Sequence, residues 1–454
     1  MLKLTLVAAL AVSLPAAAAP GADAPGSAAP TVLHCAHLID TDAGKLLGES
    51  TIVIAGERIR EVRSGRSDVA GANAIDLDGT CLPGLIDSHT HLTSQLSPQY
   101  YTEQFRLNAA DYAIRSVGYA KRTLEAGFTT VRNLGDNDYN SVALRNAINA
   151  GVVVGPRIYT AGTAIGSSGG HADGTNGYRQ DLAGDPGPKD GIVNSVEDAW
   201  KTVRLHYKNN VDVIKIMPSG GVLDEGGSAD NAQLTLDEVR ALVAAAHDYG
   251  FTVAAHAHGA EGIRRAIVGG VDSIEHGTYL DDADIKLMKE HGTWLVPTII
   301  AGKTAQEMAE KGGMPPQVAE KAKQVGPLIQ ATAGRAYKAG VKIAFGTDAG
   351  VYAHGNNAKE FVYMVEAGMP PMFVIQAATT HAAQLLKRDK NLGSIAAGKF
   401  ADVIAVQGNP LDDVAVLQKV GFVMKAGKVY KRDGVATPVV AGTDEAPGGA
   451  LTAE

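Results

Sequence analysis

Several short stretches of the sequence place histidine or aspartate side chains at spacings that suit metal ions. They are two histidine pairs and two single residues, namely His89 with His91, His256 with His258, His276, and Asp348. The members of a pair stand two apart, so on a strand they point to the same side and can approach one ion. Any one stretch alone is also compatible with a packed or exposed side chain. Together they predict a metal site with enough nitrogen and oxygen ligands for two divalent ions.

Lys215 is the most unusual candidate, because it lies in the apolar run VDVIKI. On a strand, Val211, Val213 and Lys215 share one face, so the lysine would enter the interior together with the two valines. Burying an ammonium group there without compensation is costly. The amine then requires a carboxylate partner, a lowered pKa or a covalent change. The alternative is an amine that reaches solvent at the end of its flexible side chain.

These candidates end apolar runs that alternate with amphipathic helical patterns between residues 84 and 385. The runs predicted as strands are residues 85–91, 129–133, 157–161, 211–217, 252–258, 273–276, 293–298 and 342–348. Thr235 with Glu238 is typical of the capping box that begins a helix. Eight strand and helix units predict a (β/α)8 TIM-like barrel of the α/β class, with a doubly wound open sheet as the alternative. A barrel carries its active site at the carboxyl ends of its strands, which is where the candidate ligands stand.

Strand-like runs separated by turn residues also occur near both chain ends, within residues 31–83 and 386–436. We therefore predict a small β-sandwich domain formed by both ends, with the barrel of residues 84–385 inserted between them and a tail at residues 437–454. Cys35 and Cys81 both flank the first part of this domain. A disulfide between them and a pair of buried free thiols are both compatible with the sequence.

The first 19 residues have the features of a secretory signal peptide, with Lys3, an apolar run at residues 4–14 and alanines at 17–19. That run is shorter than the roughly 20 residues that span a bilayer, and no later segment is long and apolar enough. Residues 20–30 are predicted to be a flexible lead-in, and we expect an exported protein, periplasmic or secreted. The net charge of −8 argues against a nucleic-acid binder.

As a set, GLIDSHTHL, the lysine of the fourth strand, HAHG, EHG and GTDAG resemble the amidohydrolase superfamily, in its two-metal class with a carboxylated lysine. The resemblance extends to GSIAAGKFADVIAV near the C-terminus. It implies two divalent ions, zinc by preference, with His89, His91 and Asp348 on the first and His256 and His276 on the second. It also implies that Lys215 carries a carbamate derived from CO2 and bridges both ions. An anion held between two cations would answer the burial problem of this lysine.

Two such ions lower the pKa of a shared water, and Asp348 would take the proton during attack on an amide and deliver it to the leaving amine. His258 is a candidate contact for a substrate carboxylate. So is His171, which lies in the glycine-rich loop after the third strand. For His171 the alternative is an exposed histidine in a flexible loop. Arg132 is either a further cationic contact or the partner of Asp136 in an ion pair.

The stretches GGHADG, HAHGAEGIRRAI and GTDAGVYAHGNN resemble the subgroup of Xaa-Pro dipeptidases and ochratoxin-hydrolysing amidohydrolases. The resemblance implies hydrolysis of N-acyl amino acids or dipeptides with a free carboxylate, including ochratoxin A with release of phenylalanine. It also implies a homo-oligomer, such as an octamer. A lactonase is an alternative that would use the same metals. The related one-metal deaminases lack the bridging lysine, so Lys215 argues against a deaminase. A non-catalytic binding protein on a decayed scaffold should have lost ligands, and all six positions are filled.

Overall fold

The computed structural model describes residues 29–224, 227–312 and 314–438. The predicted signal peptide, most of the lead-in and nearly all of the C-terminal tail lie outside the described residues. Among the described residues, no helix combines the length and the apolar character needed to cross a membrane.

The described residues form sixteen strands, which occur in two groups at the chain ends and one group in the middle. In chain order they are β1 Thr31–Asp40, β2 Lys45–Leu47, β3 Ser50–Ala55, β4 Arg58–Ser64, β5 Asn73–Pro83, β6 Leu85–Thr90, β7 Phe128–Asn133, β8 Arg157–Thr160, β9 Ile214–Ile216, β10 Val253–Ala257, β11 Ser273–His276, β12 Trp294–Val296, β13 Val403–Val406, β14 Phe422–Lys425, β15 Lys428–Arg432 and β16 Val435–Ala436.

The α-helices lie between and after the strands of the middle group. They are α1 Tyr100–Glu103, α2 Ala109–Glu125, α3 Asn140–Asn149, α4 Gln180–Ala183, α5 Val196–Lys208, α6 Leu236–Asp248, α7 Ala260–Gly269, α8 Asp282–His291, α9 Ile299–Glu310, α10 Pro316–Lys338, α11 Lys359–Glu366, α12 Pro371–Gln376 and α13 Ala382–Leu385. Two short 3-10 helices, Pro188–Asp190 and Val414–Gln418, and a π-helical turn, Ala377–His381, complete the helical elements of this part of the chain. The predicted capping box begins α6, where Thr235 Oγ1 accepts from the Glu238 N–H at 3.3 Å.

Strands from both chain ends join in one nine-stranded sheet with the order β16-β15-β14-β13-β5-β1-β3-β4, and β2 pairs with β1. The connection between the two ends is the antiparallel pair β13 and β5, in which Ala405 stands opposite Cys81. The hydrogen bonds trace one path of strands, and the two-layered sandwich and the exact domain boundaries stay predictions. Cys35 on β1 and Cys81 on β5 are buried and form a disulfide, which answers the question that the sequence left open.

The middle of the chain contains two parallel sheets, β6-β7-β8 and β9-β10-β11-β12. Seven of the eight predicted runs therefore contain a strand. The eighth, residues 342–348, forms isolated parallel bridges instead, with Ile343 opposite Leu295 and Ala349 opposite Thr90. A further bridge joins Ile165 to Ile216, between the two sheets. The α/β class is confirmed, and the continuous eight-stranded ladder of the predicted barrel is not formed among the described residues.

Candidate metal centre

All the predicted site residues line one cavity of about 410 Å³. They are the six predicted metal ligands His89, His91, Lys215, His256, His276 and Asp348, and the two predicted substrate contacts His171 and His258. Most of them stand at or just beyond the carboxyl ends of β6, β9, β10 and β11, as the strand pattern predicted. The structure thus brings the whole set together, and the individual roles stay predictions.

His89, His91 and Asp348 form the first of two donor groups, with one ligand atom of each within 4.8 Å of the others. The Nε2 atoms of His89 and His91 lie 3.4 and 3.1 Å from Asp348 Oδ1. On the outer side, His89 Nδ1 lies 2.9 Å from Glu275 Oε2, and His91 Nδ1 lies 3.1 Å from the carbonyl oxygen of Gly135. Acceptors in these places hold the proton on Nδ1 and leave both Nε2 atoms available to an ion.

His256, His258 and His276 form the second donor group, again within 4.8 Å of one another. His276 Nδ1 lies 2.7 Å from Thr298 Oγ1, and His258 Nδ1 lies 2.8 Å from Thr278 Oγ1. The sequence analysis placed only His256 and His276 on the second ion, with His258 facing substrate. The structure places the His258 ring stacked on that of His276, with the centroids 4.9 Å apart, so this residue lies within the donor group as well.

Lys215 on β9 is fully buried, so the predicted alternative of an amine in solvent is wrong. Its Nζ atom has no hydrogen-bond partner among the described residues. Burial lowers the pKa of Lys215 to about 8, against the opposing influence of Glu275 and Asp348. A buried amine that is readily deprotonated and unpartnered has the properties needed for modification by an electrophile such as CO2, and its surroundings therefore fit the predicted carbamate.

Burial lowers the pKa of four histidines in these groups, namely His89, His256, His258 and His276, so they are neutral near pH 7, which is the form that binds metals. Burial lowers the pKa of His89 to about 4 and that of His258 to about 3. Burial also opposes the charge of Asp348, but His89 and His91 outweigh it and hold the pKa of this carboxyl well below its usual range. Neutral nitrogen donors beside an ionised carboxylate fit divalent metal ions.

Arg132 was interpreted from the sequence as a substrate contact or as the partner of Asp136, and both interpretations are wrong. The Arg132 side chain is only 1% exposed, and its Nη2 donates to Glu275 Oε1 at 2.8 Å. Its Nε donates to the Ser88 carbonyl oxygen at 2.6 Å. Asp136 instead accepts from the Ser141 N–H. The sequence contained one indication of the true partner of Arg132: Ser273 and Glu275 are two polar residues on the same face of a short strand.

Asp87 is a second buried carboxyl that the sequence analysis missed. It accepts from the Thr347 hydroxyl at 2.6 Å, from Asn357 Nδ2 at 2.8 Å and from the His89 N–H at 3.1 Å. Burial raises the pKa of Asp87 to about 7. These contacts join β6, which carries His89, to the segment that carries Asp348.

Three residues at the centre have left-handed backbones, which are costly for side chains other than glycine. They are His276 with φ 71°, Thr298 with φ 49° and Asp348 with φ 59°. Two of them are predicted ligands, and Thr298 is the outer partner of His276. Strained residues of this kind persist where the surrounding structure holds them in place, and they cluster at functional sites.

His171 lies on the cavity wall beside the second donor group, and its ring centroid is 4.4 Å from that of His256. Its Nδ1 lies within hydrogen-bond distance of the Asp224 carboxylate, which Lys321 also contacts at 2.9 Å. The His171 backbone N–H donates to Gln233 at 2.8 Å. The alternative of an exposed histidine in a flexible loop is therefore wrong. The neighbouring wall is apolar, with Val222, Leu223, Ala305 and Val325 among its residues.

A family model described as the amidohydrolase family matches residues 80–430. The chain is 32% identical over 428 residues to the ochratoxinase of Aspergillus niger, covering 89% of this chain and 87% of that protein. Among solved structures, a Xaa-Pro dipeptidase with methionine bound in its active site is 46% identical, with a TM-score of 0.87 over 89% of this chain and 100% of that one. A prolidase complexed with N-methylphosphonate-L-proline is 33% identical, with a TM-score of 0.82 over the same shares of the two chains.

Proposed function

Because the chain belongs to the amidohydrolase family, we propose that it hydrolyses N-acyl amino acids or dipeptides that carry a free carboxylate. The enzyme is a metal-dependent hydrolase of amide bonds, as its family and its relatives indicate. The proposed cofactors are two zinc ions, one held by His89, His91 and Asp348 and the other by His256 and His276, with a carbamate on Lys215 as their common ligand. Ochratoxin A, an amide of phenylalanine, belongs to the proposed substrate class.

The observation that carries this proposal is the state of Lys215. Its amine is buried and unpartnered among the described residues, in the cavity that both donor groups line. An unmodified ammonium group there would be repelled by two metal cations, whereas a carbamate would supply an anionic oxygen ligand to them. The bridging lysine also favours an amide hydrolase with two ions over a site with one.

The ions, when bound, would lower the pKa of a shared water and polarise the substrate carbonyl. Asp348 is the proposed acid and base: its carboxylate accepts the proton of the attacking water and delivers it to the leaving amine. The ionised state of Asp348 in the cavity suits the first of these two steps. His171 is proposed to bind the substrate carboxylate through Nε2, because its Nδ1 is held by Asp224. His258, on the same wall, is the proposed second contact.

The relatives support an amide with an amino acid on its amine side. One is named an ochratoxinase, and others are named a Xaa-Pro dipeptidase and a prolidase. The apolar part of the cavity wall suits a hydrophobic group of the substrate. A screen of N-acyl amino acids, Xaa-Pro dipeptides, ochratoxin A and lactones with the zinc-loaded enzyme tests the proposal by product identification. Release of free amino acids is expected, and hydrolysis of lactones alone would overturn the substrate class.

The remaining predictions concern the shape and setting of the enzyme. We propose that the two parallel sheets belong to one barrel between residues 84 and 385, closed by residues 342–348, and the isolated bridges on both sides of that segment support this. The disulfide is compatible with export to the periplasm or beyond. A homo-oligomer, such as an octamer, is proposed from the family resemblance alone, and light scattering tests it.

A further inference from the structure

A buried network of charged groups in the interior of the proposed barrel ends at one predicted metal ligand, His89. Arg132 on β7 and Glu275 on β11 have side chains that are 1% and 0% exposed. Arg132 Nη2 donates to Glu275 Oε1 at 2.8 Å, and Arg132 Nη1 lies 3.2 Å from Ser273 Oγ. Glu275 Oε2 in turn lies 2.9 Å from His89 Nδ1. The network thus connects a guanidinium, a carboxylate and an imidazole.

The two oxygens of Glu275 have separate partners. Oε1 receives Arg132 and the Ser273 hydroxyl, the latter at 2.5 Å, and Oε2 receives His89. If the carboxylate turned toward the cavity, the Arg132 guanidinium would remain as an uncompensated charge in the interior, which is costly. The present arrangement, with Oε1 on Arg132 and Oε2 beside His89, leaves neither charge uncompensated.

We propose that Arg132 and Glu275 are positioning residues that set the metal affinity of the first donor group. Glu275 holds the His89 proton on Nδ1, presents Nε2 to the ion and makes the imidazole more basic, and Arg132 orients Glu275. The inference rests on the proposed two-metal site and adds two residues that do not themselves bind the ions.

The outer ring nitrogens of His91 and His276 have neutral partners, so the proposed effect should be specific to the ion that His89 binds. His91 faces the Gly135 carbonyl, and His276 faces the Thr298 hydroxyl. Among the predicted histidine ligands, His89 alone has a buried carboxylate as outer partner within the described part of the chain. Loss of the Glu275 carboxylate or of the Arg132 guanidinium should therefore weaken the binding of one of the two ions. The affinity of the protein for the other ion should remain close to its original value.

The experiment compares zinc binding by the wild type, Arg132→Lys and Glu275→Gln, in competition with a chromogenic chelator. Arg157→Lys is the control, because Arg157 is a half-buried arginine on the neighbouring strand β8 that also pairs with a carboxylate. It donates to the Asp402 carboxylate at 2.8 Å and to Thr130 at 3.0 Å, without contact to a predicted ligand. Ser273→Ala is a milder variant that removes one hydroxyl from the network and keeps both charges.

We expect Arg132→Lys and Glu275→Gln to lower the affinity for one of the two zinc ions by about 10- to 100-fold. The effect of Ser273→Ala should be smaller. Arg157→Lys should lower the melting temperature and leave both zinc affinities unchanged. If the Arg132 and Glu275 variants bind both ions as the control does, the positioning role is wrong. Should Arg132→Lys not fold, Glu275→Gln and Ser273→Ala decide the matter. A wild type that binds no zinc would instead refute the proposed metal site.

Discussion

At the scale of single residues, two lysines with a lowered pKa differ in what surrounds the amine. Burial lowers the pKa of both Lys215 and Lys425 to about 8. The amine of Lys425 donates to the Gly155 carbonyl oxygen at 2.6 Å, whereas that of Lys215 has no partner among the described residues. Only Lys215 combines a readily deprotonated amine with an unsatisfied position, so only Lys215 is expected to react with CO2.

Replacement of Lys215 by arginine tests the carbamate directly. Arginine keeps a positive charge and cannot form the carbamate, so the variant should lose at least one ion and about 10²-fold or more of the activity. In the wild type, ¹³C-labelled bicarbonate should produce a carbamate signal in the carbon NMR spectrum. The signal should persist in Lys425→Arg and vanish in Lys215→Arg. A signal that survives in Lys215→Arg would contradict the assignment.

Asp348→Asn separates proton transfer from metal binding. An asparagine keeps an oxygen for the ion and cannot accept a proton, so we expect zinc to be retained and turnover to fall by about 10²- to 10⁴-fold. Metal content and turnover number are measured on the same sample. Wild-type turnover in this variant would exclude Asp348 as the proton carrier.

The residues that line the centre of the cavity were predictable from the sequence because each lies in a short local motif at or near the end of an apolar run. The residues around them were not, because their partners are distant along the chain. Glu275 and His89 are 186 residues apart, and Asp87 and Asn357 are 270 apart. Arg132 was assigned wrongly for the same reason: a local partner, Asp136, was available in the sequence, and the true partner came from another strand.

At the scale of secondary structure elements, the predicted strands were in part longer than the observed ones. The prediction continued each apolar run up to its polar end. In the structure, left-handed backbones at Thr298 and Asp348 interrupt the extended conformation at two of these ends, whereas His276, also left-handed, is the last residue of β11 as predicted. The eighth run is reduced to isolated bridges, although its residues lie where the pattern placed them. Periodicity predicts which side chains face the interior and does not predict strained residues at a site.

The loop after β9 is expected to position His171 for substrate binding. A Cβ atom at Gly221 would overlap the imidazole ring of His171, whereas one at Gly227 in the same loop would lie 3.6 Å from Asn231 Nδ2. Gly221→Ala should therefore displace His171 and raise KM about 10-fold for N-acyl amino acids, with bound zinc unchanged.

Two comparisons control this prediction. Gly227→Ala should behave as the wild type. The matching N-acyl amino amides, which lack the carboxylate, should show the same KM with Gly221→Ala and the wild type. Equal increases in KM for both substrate types would mean that His171 does not bind the carboxylate.

Helix α9 begins beside the site, and the buried carboxyl of Glu360 on α11 caps it. The two oxygens of Glu360 accept from the Ile299 and Ile300 N–H groups at 2.8 and 2.7 Å. Burial nevertheless raises the pKa of Glu360 from 4.5 to about 8. The folded state thus holds this proton more tightly than the unfolded state does, so this contribution to stability falls as the pH rises through that interval.

Glu360→Gln should remove this contribution because an amide does not titrate in that range. The wild type should lose stability relative to Glu360→Gln between about pH 4.5 and 8, at no more than about 1.4 kcal/mol per pH unit. The melting temperatures of the two zinc-loaded proteins, compared across this interval, measure it. A difference that is constant with pH, or one that favours the wild type as the pH rises, would contradict the expectation.

At the scale of the whole molecule, polar contacts join the sheet of the chain ends to the middle of the chain at β8 and the segment before it. Arg157 on β8 donates to Asp402 at 2.8 Å, and Lys425 on β14 donates to the Gly155 carbonyl at 2.6 Å. The sequence predicted that the two ends pair with each other. It did not predict these contacts, because each joins segments more than two hundred residues apart.

The disulfide is expected to stabilise the molecule without affecting catalysis. Cys35 and Cys81 are 46 residues apart and belong to the apolar core of the end sheet, away from the cavity. Replacing both by alanine should cost about 2–4 kcal/mol of stability. The kcat/KM of the zinc-loaded double variant at a moderate temperature should remain that of the wild type. A loss of activity in the folded double variant would show that the end sheet shapes the site.

The most direct measurement is a zinc titration of the metal-free enzyme, with release of the free amino acid from an N-acyl amino acid followed at each step. The two donor groups and the proposed carbamate on Lys215 predict no hydrolysis without metal, and activity that saturates at two zinc ions per chain. Hydrolysis that is complete without metal, or that saturates at a single ion, would contradict a two-metal amide hydrolase.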